Sequence, residues 1–182
     1  MIARKLDAFL DNFYGTQKKA LLLTGARQVG KTSAFRRFAA RTYENYIEIN
    51  FISTPQAAGI FEGAQGAGDI LLRLSAFTDV QMVPGKTFIL FDEIQECREC
   101  VTQIKFLVDE GSYTYGLTGS LLGVELNDVR SEPVGYMDVA EVFPLDFEEF
   151  ALAIGVAQEL LSHGFGHLYY FNNKKQGPHL LP

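Results

Sequence analysis

A chain of 182 residues, 47% hydrophobic and 21% charged, is long enough for one well-buried α/β domain with little left over. Two cysteines cannot staple a secreted disulfide scaffold, and no apolar run approaches the roughly 18 residues of a membrane span. The first residues, Met1 to Asp7, have no signal-peptide core, so a soluble cytoplasmic protein with no membrane partner is expected. The net charge of −6 divides unevenly, because residues 1–41 hold nine basic and two acidic side chains, a local +7, and leave −13 to the rest. That balance suits a polyanionic ligand near the start of the chain and gives no support to broad contact with nucleic acid.

Leu6, Phe9, Leu10 and Phe13 recur at helical spacing, so an amphipathic helix is predicted over 3–13, stopped by Gly15. Ala20 to Thr24 is a continuous apolar run, as in a parallel strand covered on both faces. It runs into Gly25-Ala26-Arg27-Gln28-Val29-Gly30-Lys31-Thr32, which satisfies GxxxxGK[ST], the phosphate-binding P-loop. The glycines let the backbone curl so that its N–H groups point inward around phosphate oxygens. Lys31 then reaches the terminal phosphates, the Thr32 hydroxyl holds Mg²⁺, and the helix beginning at Lys31 and Ser33 aims the positive end of its dipole at the same anion. That helix, about 31–41, buries Ala34, Phe35, Phe38 and Ala39, while Arg36, Arg37 and Arg41 read as an ordinary solvated face.

A second strand is predicted at Tyr46 to Phe51, a helix start at Ser53-Thr54-Pro55, a short helix around Asp69 to Phe77 and, after the Pro84-Gly85 turn, a third strand at Thr87 to Phe91. The third strand delivers Asp92 and Glu93 about sixty residues beyond the P-loop, the Walker B arrangement. Asp92 would accept hydrogen bonds from the Mg²⁺ shell, and Glu93 would polarise the water that attacks the γ-phosphate. A GTPase would carry an Asn-Lys-x-Asp guanine reader; Asn173-Lys174-Lys175-Gln176 lacks the final acid, so adenine is favoured.

A helix follows near Arg98 to Glu110, with Cys97, Cys100, Val101, Ile104, Leu107 and Val108 on one stripe. The two thiols read as buried and reduced rather than as half of a zinc site. The fourth strand, Tyr113 to Thr118, ends at Leu117-Thr118-Gly119-Ser120, where Thr118 and Ser120 stand either as polar sensors of the γ-phosphate or as caps of the turn into a helix over 121–127. A fifth strand is predicted at Val139 to Phe143, ended by Pro144, and a helix capped by Asp146 that includes Phe147, Phe150 and Ile154. Alternating strands and helices imply an α/β three-layer P-loop NTPase domain with a parallel sheet over 1–154. Residues 155–182 lack periodicity and read as a tail, frayed or the remnant of a lid or partner domain.

With these strings in place, the chain resembles a prokaryotic family of AAA-type P-loop ATPases that usually carry a C-terminal domain of nuclease-like appearance. The resemblance lies in Leu23 to Thr32, Phe91-Asp92-Glu93-Ile94-Gln95, Leu117 to Ser120 and Phe143 to Phe150, and covers residues 1 to about 154. It implies strand order 5-1-4-3-2, an ATP site at Gly25 to Thr32, Walker B at Asp92 and Glu93, and a sensor on the fourth strand. It supplies no target, so the protein partner stays unknown and a homo-oligomer unsupported by any stretch. Two departures stand out: Tyr136 follows Gly135 where members have a basic residue, leaving Arg130 or no arginine to complete the γ-phosphate charge, and the chain stops short of the lid, as in a truncated form. The expected function is ATP binding with Mg²⁺-dependent hydrolysis driving a conformational switch. The alternative is a nucleotide-gated interaction module that binds ATP with negligible turnover.

Overall fold

The computed structural model describes residues 4–120, 135–145 and 149, and the backbone at 169–170 and 179–180. It divides into two units, Leu6–Val142 and the pair of segments Met1–Lys5 and Phe143–Pro182.

The larger unit is a parallel five-stranded sheet flanked by helices. In chain order it holds α1 (Lys5–Thr16, whose first residue belongs to the smaller unit), β1 (Ala20–Thr24), α2 (Lys31–Thr42), β2 (Asn45–Asn50), a 3₁₀ segment Pro55–Ile60, and α3 (Ala67–Phe77). Then come β3 (Thr87–Asp92), a 3₁₀ turn Ile94–Glu96, α4 (Arg98–Glu110), β4 (Thr114–Thr118) and β5 (Met137–Glu141). The strands lie in the order β2-β3-β4-β1-β5, the reverse reading of the expected 5-1-4-3-2.

Period-two alternation sorts the strand residues between two cores. Leu21 and Leu23 of β1 and Phe88 and Leu90 of β3 face one side, where α1 brings Leu10 and Phe13 and α2 brings Ala34, Phe35, Phe38 and Ala39. Leu22, Ile89, Phe91 and Leu117 face the other, against Ile70 and Leu74 of α3 and Cys100, Ile104 and Leu107 of α4. Sandwiched between helices, the central strands are apolar throughout: β1 and β3 are buried at every position. Phe88 is the hub of one core, with the rings of Tyr14, Phe35, Phe38, Tyr43 and Tyr46 at centroid distances of 5.6, 5.7, 5.6, 5.5 and 6.4 Å. Gly116 of β4 is required beneath it, since a Cβ there would lie 2.8 Å from the Phe88 ring and 2.9 Å from Phe35.

Register carries the strand ends to one edge. Leu23 of β1 pairs with Thr118 of β4, and Asn50 of β2 with Asp92 of β3. The C-terminal ends of four adjacent strands therefore meet, the usual place for a ligand in an open parallel sheet.

Several boundaries differ from expectation, those of α1 and β5 most tellingly. α1 continues past Gly15 to Thr16, whose hydroxyl bonds the Asn12 carbonyl, and Phe9 of its expected stripe is 41% exposed. β5 begins two residues early and ends two early, because its limits follow its pairing with β1, Ala20↔Met137 through Thr24↔Glu141, rather than the apolar run. As an edge strand it buries only Met137 and leaves its other residues half-buried or exposed, so hydropathy marks its ends poorly, and Phe143 beyond it is 61% exposed.

In the smaller unit the Arg4 guanidinium bonds the Phe143 carbonyl at 3.1 Å and Glu149 Oε2 at 3.3 Å, and the Lys5 N–H bonds Glu149 Oε1 at 2.9 Å. Tyr169–Tyr170 and His179–Leu180 pair as antiparallel strands in the segment expected to lack regular structure. The predicted helices over 121–127 and from Asp146, and Arg130, lie outside the described residues.

Candidate functional site

The loop between β1 and α2 takes its shape from three positive-φ residues, Gly25 (φ 139°), Gln28 (φ 64°) and Gly30 (φ 95°). Gly25 has a second reason to be glycine: a Cβ there would stand 2.2 Å from the carbonyl oxygen of Val142, just after β5. Val142 is held there by its own N–H, which bonds the Thr24 carbonyl at 2.7 Å. Ala26, Arg27 and Gln28 are exposed along the loop, Val29 is tucked into the core, and Ser33 is exposed on the first turn of α2. Gly30 caps α2 in the left-handed conformation with no side-chain bond, leaving the first amides of the helix to a ligand.

Lys31 is 6% exposed, and its ammonium donates to the carbonyls of Gly25 at 2.9 Å and Ala26 at 2.8 Å. Burial lowers its pKa, and the nearby carboxylates of Glu93 and Asp92 act in the opposite direction.

Asp92 closes β3 at 4% exposure, and its carboxylate accepts three hydrogen bonds. Thr32 Oγ1 donates to Oδ1 at 2.8 Å, the Thr118 hydroxyl donates to the same oxygen in a short bond, and Asn50 Nδ2 donates to Oδ2 at 2.7 Å. The hydroxyl of Thr32 and the Oδ1 of Asp92 form a pair of hard oxygen donors. That donor set fits Mg²⁺, which retains waters and takes one or two protein oxygens plus phosphate.

Glu93 follows in the left-handed region (φ 60°, ψ 50°), a conformation that costs a non-glycine residue on the order of 1–3 kcal/mol and gathers at functional sites. Its N–H bonds the Thr118 hydroxyl at 3.2 Å, and its Oε2 accepts from Gln95 Nε2 at 2.6 Å. Ser120 is 9% exposed; its N–H bonds Gln95 Oε1 at 3.4 Å, and the neighbouring Gly119 N–H bonds the Leu23 carbonyl at 3.1 Å.

Lys31, Thr32, Asp92, Glu93, Thr118 and Ser120 thus sit along one edge of the sheet. The Thr118 hydroxyl donates to the Asp92 carboxylate and accepts from the Glu93 backbone N–H, whereas the described contact of Ser120 is through its backbone. Sequence reasoning assigned no role to Asn50 or Gln95. Asn50 was legible only as the polar end of an alternating strand, and its pairing opposite Asp92 requires the strand order.

A model of the AAA domain matches residues 17–151. The chain belongs to the AAA domain family. It therefore carries a nucleotide-binding P-loop fold, and the sheet order agrees. Among solved structures, C. elegans PCH-2 aligns at 18% identity and TM-score 0.47, over 94% of this chain and 47% of that one. A DNA replication initiation factor aligns at 18% and 0.48, over 86% and 49%. The Aeropyrum pernix Orc1 protein, in complex with DNA, aligns at 17% and 0.52, over 86% and 48%, a likeness of fold. This AAA chain spans about half the length of each of these structures. No curated protein matches it in sequence. Among the described residues of the AAA chain, no helix is long and apolar enough to cross a membrane.

Proposed function

We propose that this AAA domain, over residues 1–154, binds ATP with Mg²⁺ and hydrolyses it at the β–γ phosphoanhydride, using the cycle as a conformational switch for a protein partner. The reading is carried by the convergence of the P-loop lysine, the Thr32–Asp92 oxygen pair and the strained Glu93 at one sheet edge. In it, the loop amides of Gly25 to Lys31 hold the β- and γ-phosphates, and Lys31 neutralises their charge. Thr32 and Asp92 would hold Mg²⁺, which would supply neutralisation of the phosphate charge. Glu93 orients and deprotonates the attacking water, and Thr118 with Ser120 reports the state of the γ-phosphate to the loop that follows β4.

Calorimetry with Mg²⁺ and ATP, together with phosphate release by wild type and Glu93→Gln, tests this. Saturable heat is expected, with turnover that Glu93→Gln cuts to a small but measurable residual rate. Heat with identical phosphate traces would favour the nucleotide-gated interaction module, and no heat would remove the ATP site altogether.

A further inference from the structure

Glu93 is fastened at two points, and the second of them is not a Walker residue. Its backbone is held by Thr118, but its carboxylate is held by the side-chain amide of Gln95, two residues on. We propose that Gln95 is a positioning residue for hydrolysis: it aims the Glu93 carboxylate at the attacking water and ties that aim to the loop after β4 through the Ser120 N–H. The inference rests on the hydrolytic reading above and names what sets the base in place.

The backbone of Gln95 is well fixed for the task. It lies in the 3₁₀ turn Ile94–Glu96, closed by Glu96 N–H to the Glu93 carbonyl at 3.1 Å and Cys97 N–H to the Ile94 carbonyl at 2.9 Å. Its flanking anchors, Ile94 and Cys97, are 1% and 2% exposed and belong to the core that α4 packs on. Only the amide end of Gln95 reaches out, and its two partners decide its orientation. A carboxylate accepts and a backbone N–H donates, so Nε2 faces Glu93 and Oε1 faces Ser120, the arrangement observed. Glutamine supplies what neither glutamate nor lysine can, a donor and an acceptor on one planar group.

This arrangement has a mechanical consequence. The amide occupies Oε2 of Glu93 and leaves Oε1 to accept a proton from water. The acceptor side of the same amide is attached to the loop whose next N–H, on Gly119, bonds the Leu23 carbonyl of β1, two residues before the P-loop begins. Displacement of Ser120 would therefore pull on Gln95 and turn Glu93 out of line, so the position of Ser120 and the alignment of the base are coupled through one side chain.

The test is a double-mutant cycle on the full chain, with Gln95→Ala and the isosteric Gln95→Glu made in wild type and in Glu93→Gln. Single-turnover phosphate release should fall about tenfold to a hundredfold in either Gln95 variant, as misaiming a catalytic group by about an ångström does. ATP affinity and melting temperature should stay close to wild type, so the loss falls in kcat and not in KM. In Glu93→Gln the Gln95 substitutions should cost nothing further. An equal fractional loss in both backgrounds, a loss confined to KM, or unchanged turnover in both Gln95 variants would overturn the proposal and leave hydrolysis intact. Wild-type phosphate release no faster than Glu93→Gln would overturn the hydrolytic reading itself, and this inference with it. Gln95→Glu keeps the shape of the turn and serves should Gln95→Ala fold poorly.

Discussion

Lys31 shows how much of a site can be set before its ligand arrives. The ammonium is buried, bonded to two loop carbonyls, and destabilised as a charge by desolvation, so a triphosphate meets a cation poorly satisfied by water. Replacing it removes the partner of a charged, desolvated contact, for which losses run about 2–5 kcal/mol. Lys31→Ala should therefore weaken ATP binding by at least about thirtyfold in calorimetry, and unchanged affinity would mean the loop is not the phosphate site. The direction of the pKa shift adds a second readout. In the proposed role the protonated form binds phosphate, and its folded-state pKa lies below the ordinary 10.5, so affinity should begin to fall on the alkaline side earlier than a free lysine would dictate. Lys31→Arg should remove that alkaline limb. Folding stability follows the same sign: the proton is bound more weakly in the folded state, so this residue opposes folding below its lowered pKa and ceases to do so as the pH rises through the window up to 10.5.

At the scale of elements, strands that are covered on both faces were the most legible. β1 is an unbroken apolar run and its limits were read to the residue, because burial on both sides leaves hydropathy no ambiguity. β5 was displaced by two residues for the opposite reason: its pairing, not its apolarity, sets its ends. In the site, the glycines, Lys31, Thr32 and the Asp92-Glu93 pair could be read from local strings. Asn50 and Gln95 could not, because their partners come from a neighbouring strand or from a turn whose direction depends on the left-handed backbone at Glu93. Similarly, the predicted burial of Cys97 and Cys100 is found, both thiols being closed off and pushed up in pKa by desolvation, consistent with a core-facing stripe. The element that carries Asp92 depends most on Phe88 at its other end, which is fully buried and ringed by five aromatic side chains. Phe88→Ala deletes that hub, and aromatic truncations in such cores cost about 3–5 kcal/mol. Urea unfolding should show the midpoint fall by that equivalent with the m-value unchanged; a loss under about 1 kcal/mol would mean that the cluster closes over the gap and does not hold β3.

For the whole molecule, the uneven charge is the feature that sequence and structure value differently. Nine basic residues in the first 41 suggest an anion-binding segment, yet much of that charge is already spoken for inside the larger unit. Arg36 binds Glu48 through two nitrogens at 2.7 and 2.5 Å, Arg37 binds Asp7 at 3.0 and 2.8 Å, Arg41 binds Asp11 at 2.9 Å, and Lys19 binds Asp138 at 2.9 Å. The Arg36 pair goes further, because Tyr46 also donates to Glu48, and the guanidinium and the carboxylate each hold the other in its charged form. Each of these acids would have to be abandoned for a phosphate backbone, while the excess negative charge elsewhere repels it. Of the basic residues in this segment, the P-loop carries Lys31, buried against two loop carbonyls, and Arg27, exposed on the same loop. Fluorescence anisotropy with a 20-base-pair duplex at about 150 mM salt should accordingly give binding weaker than about 100 μM, the loose end of the non-specific range. A micromolar constant with a steep salt slope would show that phosphate contacts outcompete these ion pairs, and would favour a nucleic-acid partner over a protein one.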